Sequence, residues 1–232
     1  MKQKKILYFV AEADYFCSHR LHIALAALKA SYQVALITRC NTAIQKKLEA
    51  FGIAVFPLHH FKRGGFNPFH QIRSLLEIYS VYKRYKPDIV HQVALKPVIF
   101  GSWIANICGV PRVINALPGL GYLFTDASQG PKIIKNMSRW FVLKLFKNIF
   151  SEPHSTLILQ NIDDQHYLTQ HAALRPEQSV IIPGAGVNVN HYQVAPFPPT
   201  PPVRIVCVAR LLWHKGIGEL AKAAGLLQAA GH

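Results

Sequence analysis

Short runs rich in β-branched and aromatic residues alternate along this chain with longer stretches of helical apolar spacing, and that alternation leaves few folds open. A strand that returns through a helix lies parallel to the one before it. The pattern therefore specifies an α/β fold, a doubly wound parallel sheet covered by helices on both faces. The expected strands are KKILYFV, YQVALIT, IAVFPL, DIVHQV, RVINAL, STLILQ, SVIIPG and VRIVCVA. Helical spacing runs from His19 to Lys29, Thr42 to Phe51, Pro68 to Tyr85, Pro97 to Cys108 and Lys132 to Phe150. Sheets of this kind bind ligands at the carboxyl ends of their strands, so a site is sought in the residues just after each strand.

One segment interrupts the rhythm. APFPPTPP, from Ala195 to Pro202, holds five prolines, which fix φ and remove donors, so it is neither helix nor central strand. It divides a domain over residues 1–194 from residues 203–232, where VRIVCVARLLWHKGIGELAKAAGLL reads as strand, loop and helix. One strand and one helix cannot bury their own apolar faces. Residues 203–232 are accordingly expected to be the opening βα unit of a second domain, and the chain to be truncated.

Half of the 232 residues are apolar and 16% are charged, enough to bury a core and too little charge for disorder. The 26 Lys and Arg against 11 Asp and Glu give a net charge of +15, a positive field that attracts phosphates. Cys17, Cys40, Cys108 and Cys207 stand singly in apolar stretches, which argues against a disulfide frame or a zinc site and for a reducing compartment. The opening MKQKKILYFVAEAD has a basic start, but its apolar run ends after about six residues, short of the ~7–15 of an export signal. No stretch reaches the ~18 apolar residues of a spanning helix. A cytosolic protein with at most peripheral membrane contact is expected.

Five segments in order carry a family resemblance: FCSHRLHIALAAL, KPDIVHQVALKPVIFGSWIANICGVPRVINALPGLGYLF, LILQNIDDQ, IIPGAGVNVNHY and VARLLWHKG. In these the chain resembles the retaining glycosyltransferases of family 4, which have two Rossmann-like domains in the GT-B arrangement. The middle block is most similar to the subgroup that extends lipid-linked surface polysaccharides and glycan carriers in bacteria. The resemblance implies transfer of a hexose or N-acetylhexosamine from a nucleotide sugar, usually UDP-linked, to a lipid-linked saccharide. No metal and no cofactor beyond that co-substrate is implied.

In VARLLWHKG, Arg210 and Lys215 follow a strand and precede a helix amino terminus, whose orphan amides favour an anion. The resemblance implies that they hold the donor diphosphate and steady the charge growing on the leaving nucleotide, with Gly216 admitting close backbone approach. In the loop expected over residues 11–20, Ser18 would cap the following helix while His19 and Arg20 face the cleft, contacting acceptor or phosphate. Two exposed basic residues beside a cap fit as well. Many relatives carry a Gly-Gly pair in this loop, and here SHR stands in its place.

Gly119 and Gly121 in ALPGLGYLFT permit positive φ in a loop that closes on substrate or simply turns. The His that many relatives carry at the end of this strand is replaced by Ala116, Leu117 and Pro118, so that role has no residue here. His91 ends DIVHQV, where a packed core histidine and a cleft histidine both fit. Asn188 occupies a position where relatives usually have Asp. The family's E-x7-E glutamates have no counterpart in residues 1–232, and the chain alone is expected to show little or no transfer.

Residues Lys132 to Phe150 form an expected amphipathic basic helix, with Ile133, Ile134, Met137, Trp140, Phe141, Leu145 and Ile149 on one broad face. Lys132, Lys135, Arg139, Lys144 and Lys147 lie elsewhere around it. Such a helix fits an anionic inner-membrane surface through its cations and Trp140, and fits a core helix with a solvated basic face equally. Lys62, Arg63, Arg73, Lys83, Arg84 and Lys86 add to the same field. Two other classes compete: a noncatalytic membrane-docking partner subunit of a glycosyltransferase, and a basic nucleic-acid-binding protein. No RNA-binding or helix-turn-helix signature accompanies the charge, so no nucleic-acid partner is expected.

Overall fold

Leu7 and Phe9 alternate with Tyr8 and Val10 along β1 (Lys5–Glu12), and all four side chains are buried, so this strand is covered on both faces. The computed structural model describes residues 3–61, 67–120, 124, 132–190, 192, 194–198, 203–209, 211 and 215–231, the side chains of residues 132 and 134 excepted. After β1 come α1 (Ala13–His19), α2 (Leu21–Lys29), β2 (Gln33–Arg39), α3 (Thr42–Ala50), β3 (Ala54–Pro57) and α4 (Pro68–Tyr85). β4 (Ile89–Val93), α5 (Leu95–Cys108), β5 (Arg112–Leu117), α6 (Lys132–Phe150), β6 (Ser155–Leu159), α7 (Ile162–Ala172), β7 (Ser179–Ile181) and α8 (Ile217–Ala229) complete the order.

The seven strands form one sheet in the order β3-β2-β1-β4-β5-β6-β7, with every adjacent pair parallel. Strand order reverses between β1 and β4, and that is the switch point at which open α/β sheets leave a crevice. On one face Tyr8, Val10 and Leu36 pack against Phe16 of α1, Ala24 of α2 and Leu48 of α3. On the other, Leu7 and Phe9 pack against Ile78 and Tyr82 of α4 and Ile104 of α5, while α6 and α7 close over β5 and β6 through Val142, Phe146 and Leu168.

The doubly wound parallel sheet is as the periodicity specified, with local differences. Residues 11–20 are not a loop: β1 runs on to Glu12 and α1 follows at once. Ser18 therefore lies inside α1, where its Oγ donates to Asp14 O at 2.8 Å instead of capping the next helix. The helix expected from His19 is broken at Arg20, whose φ of −132° is not helical. The α7 segment, quoted above without being read as a helix, has an Asn161 cap whose Oδ1 accepts from Asp164 N at 2.7 Å. Residues 203–209 form no strand among the described residues. They lie exposed with no neighbour in the sheet, since alternation alone does not make a strand without a partner for its N–H and C=O groups.

Helix α6 does not present one broad apolar face. Val142, Phe146, Ile149 and Phe150 enter the core, whereas Ile133, Met137, Trp140 and Phe141 stand exposed. At about 100° per residue the exposed set and the buried set fall on opposite sides of the helix. No described helix is long and apolar enough to cross a membrane. The described part of the proline segment, residues 195–198, is exposed and has no regular structure.

Candidate functional site

Arg20 sits at the joint between α1 and α2, fixed on both sides by its backbone. Its N–H donates to Phe16 O at 2.8 Å, and its carbonyl accepts from Ile23 N and Ala24 N at 3.1 Å each. The side chain is only 8% exposed. Nη1 donates to His19 O at 3.0 Å, and Nε is buried without a hydrogen-bond partner among the described residues.

Across the switch point the parallel register sets His91 of β4 beside Tyr8 of β1, and the rings stack with centroids 5.2 Å apart. His91 is 7% exposed, and its Nε2 is likewise buried with no partner among the described residues. Burial, then the Arg20 charge, pull its pKa down to about 4, so the ring is neutral near pH 7. Burial pushes the Tyr8 phenol up to about 12, with Arg20 opposing.

Arg20 and His91 line a pocket of about 160 Å³. Arg20, His22 and Ile23 come from the α1–α2 region and His91 from β4. The end of β5 gives Ala116, Leu117 and Pro118, β6 and its following residue give Ile158 and Gln160, and Ile182, Gly184 and Ala185 follow β7. Among these lining residues there is no carboxylate. On this side of the sheet Thr156 is exposed, and Val180 and Ile182 are about half exposed, which leaves the pocket open beside β6 and β7.

Of the residues singled out in the sequence, Arg20 and His91 meet in the pocket. Ser18 and His19 do not line it: Ser18 is exposed, its Oγ 2.7 Å from His19 Nδ1, and the His19 ring stacks on Tyr15 at 4.2 Å. Successive side chains at the end of α1 are turned by about 100° from one another, so neither follows Arg20 into the pocket. Gly119 is exposed, with φ of 154°, one residue past the pocket's Pro118. Gly121 lies outside the described residues. Asn188 accepts through Oδ1 from Asn190 N at 3.1 Å, a local turn. Sequence reading missed His22, Gln160, Gly184 and Ala185. The rule that residues after strand ends build the site would have found the last three, which follow β6 and β7.

Elsewhere, Arg210 lies outside the described residues. Lys215 is exposed and immediately precedes Gly216, which caps α8 with φ of 75°, a left-handed conformation that suits glycine. On α6, Lys144 and Lys147 are exposed and the Lys144 ammonium lies 4.8 Å from the exposed Trp140 ring. Arg139 lies over Phe124 at 5.9 Å, and Lys135 is half-buried. The Lys132 side chain, with Lys62 and Arg63, lies outside the described residues.

The family described as Glycosyl transferase 4-like matches residues 5–152. Over 200 residues the chain is 25% identical to the N,N'-diacetylbacillosaminyl-diphospho-undecaprenol alpha-1,3-N-acetylgalactosaminyltransferase of Campylobacter jejuni, covering 79% of this chain and 50% of that protein. It is 27% identical over 125 residues to the UDP-Gal:alpha-D-GlcNAc-diphosphoundecaprenol alpha-1,3-galactosyltransferase of Escherichia coli, 53% of this chain and 30% of that protein. The solved structure of Anabaena Alr3699/HepE in complex with UDP and glucose superposes with a TM-score of 0.55 at 17% identity, over 84% of this chain and 47% of that one. At that identity the likeness speaks for the fold alone, and it is the Rossmann-like GT-B fold expected above. The chain spans half or less of the length of each of these relatives.

Proposed function

Because this chain belongs to the glycosyl transferase 4-like family, we propose that its protein transfers a hexose or N-acetylhexosamine from a UDP-sugar to a saccharide carried on a lipid diphosphate, this chain supplying the acceptor-side domain. The observation that carries the reading is the pocket at the strand ends: it is cationic, free of carboxylates among its lining residues, and open at the switch point. The relatives support the substrate class. The Campylobacter protein is named for a diphospho-undecaprenol-linked saccharide, and the Escherichia coli protein for a UDP-Gal donor and a diphosphoundecaprenol acceptor.

A transfer of this kind must neutralise a departing nucleoside diphosphate. In this reading Arg210 and Lys215 take that charge beside Gly216 at the amino end of α8, as hydrogen-bond donors worth most where negative charge develops. No metal is invoked. The exposed aromatics and lysines of α6 would rest on an anionic inner-membrane surface and keep the pocket within reach of lipid-borne acceptors.

The test uses phosphatidylcholine vesicles carrying an undecaprenyl-diphosphate-linked disaccharide. The protein is expected to cosediment with them more strongly than with vesicles carrying undecaprenyl diphosphate without sugar. Indifference to the saccharide overturns the acceptor assignment.

A further inference from the structure

The pocket's deepest side chains are not the ones a ligand meets. Arg20 and His91 are both less than one-tenth exposed, so the accessible wall comes mostly from the exposed Ile23 and Ile182 and the half-buried Ile158 and Ala185. That wall is apolar, and two accessible polar side chains interrupt it: His22, exposed on α2, and Gln160, half-buried just after β6. The Gln160 carboxamide makes no hydrogen bond to another described residue. Its backbone is fixed from both sides, because Leu159 O accepts from Ile182 N at 2.8 Å and Asn161 Oδ1 accepts from Asp164 N at 2.7 Å. We propose that the pocket is a subsite for an acetamido group, which Gln160 hydrogen-bonds and Ile158 and Ile182 seat. The proposal rests on the transfer reading above and names the substituent by which that reaction selects a sugar.

Few groups use both parts of such a wall. A carboxamide offers N–H donors and a C=O acceptor side by side, and the group that answers both at once is a second amide. A carboxylate or phosphate only accepts, which leaves Gln160 Oε1 facing negative oxygen. The hydroxyl of a plain hexose pairs with the carboxamide but leaves the apolar wall bare. An acetamido group brings the amide and a methyl together, so apolar burial against Ile158 and Ile182 adds to the hydrogen bonds. The charge of Arg20, with no lining carboxylate to cancel it, favours a ligand whose carbonyl oxygen turns inward. At about 160 Å³ the pocket is below the ~300–1,000 Å³ that hold whole drug-sized ligands, so it takes a substituent and leaves the rest of the molecule outside. Its open side beside β6 and β7 leaves room for the sugar ring.

An acetamido sugar arrives on a lipid-linked acceptor or on a nucleotide donor, and calorimetric titration of the full chain separates the two. The probes are two pairs that differ only in acetamido against hydroxyl, each in the gluco and the galacto series. One pair carries the sugar on farnesyl diphosphate and the other on UDP. At least one pair is expected to favour its acetamido member by about tenfold, the worth of a buried methyl and a net hydrogen bond. Gln160→Leu should cut that preference to about threefold or less and leave the affinity for the hydroxyl member unchanged. A preference confined to the farnesyl pair assigns the subsite to the acceptor, and one confined to the UDP pair assigns it to the donor. A preference in both assigns it to the acetamido group whichever sugar bears it.

Saturation-transfer NMR on the parent protein supplies a second readout that needs no variant. The acetyl methyl of the preferred probe is expected to take up more saturation than the ring protons. The subsite is overturned by no binding or equal affinity within both pairs in both series, by a methyl no more saturated than the ring, or by an unchanged preference in folded Gln160→Leu. None of these results touches the saccharide dependence of vesicle binding, so the transfer reading stands or falls separately.

Discussion

Ala94 shows how a single residue is made to hold a costly conformation. Its φ of 78° and ψ of 162° fall in a region populated almost only by glycine, at a cost of about 1–3 kcal/mol. It is held there because its N–H donates to Ala116 O at 2.9 Å while its carbonyl accepts from Val98 N at 3.0 Å, joining β4, β5 and α5 at the rim of the switch point. Ala94→Gly relieves the strain but adds roughly 0.5–1 kcal/mol of unfolded-state entropy, so a net gain of about 1 kcal/mol is expected from urea unfolding. A loss of stability would mean that the conformation carries no strain. His91 gives a second prediction at this scale. Its folded pKa of about 4 lies below the ordinary histidine value, so the unfolded chain binds its proton first as pH falls. Stability is unaffected above about pH 6.5 and declines from there to about pH 4, by up to ~3 kcal/mol. His91→Gln should flatten that decline relative to the parent, read as the difference in urea midpoint between pH 7 and pH 4.5.

Elements are positioned by small residues and caps, and these decide how much of the fold a sequence shows. Gly101 lets α5 lie close on the sheet: a Cβ there would fall on the Gln92 side-chain amide and 3.0 Å from Phe9 Cδ1. Gln92 is itself fully buried, with neither amide atom paired among the described residues. Gly101→Ala should therefore destabilise by about 1–2 kcal/mol despite alanine's better helix propensity, and Gln92→Ala should suppress that penalty in the double variant. Thermal unfolding of the four proteins closes the cycle, and additive effects would show that the two side chains do not compete. The central strands β1, β2 and β4 were legible because they bury both faces and so read as apolar runs, and the outer ones because β-branched residues bounded by turn residues mark them as well. The break at Arg20 was not, since nothing in SHR separates a helix joint from a loop. Asn161 with Asp163 and Asp164 marks the start of α7 by ordinary capping rules, and the signal was in plain view. At the pocket, Arg20 was legible from its place after β1, whereas the pairing of His91 with Tyr8 depends on strand register, which no single segment encodes.

At the scale of the molecule, the net charge of +15 acts together with apolar surface that the fold leaves uncovered. Trp140 and Phe141 are 60% and 57% exposed on α6, within two turns of Lys144 and Lys147, so one stretch of the helix offers both insertion and attraction. Either alone binds a bilayer weakly. Each cation near an anionic surface contributes about 1 kcal/mol, an amount that salt screens, while burying an aromatic ring is far less sensitive to salt. The two contributions can therefore be separated. Binding to vesicles with 30% phosphatidylglycerol should fall with rising salt in the parent, leaving a residue of affinity that Trp140→Ser with Phe141→Ser removes. Lys144→Gln with Lys147→Gln should instead flatten the salt dependence and leave that residue in place. If neither pair changes vesicle binding, α6 does not face the membrane.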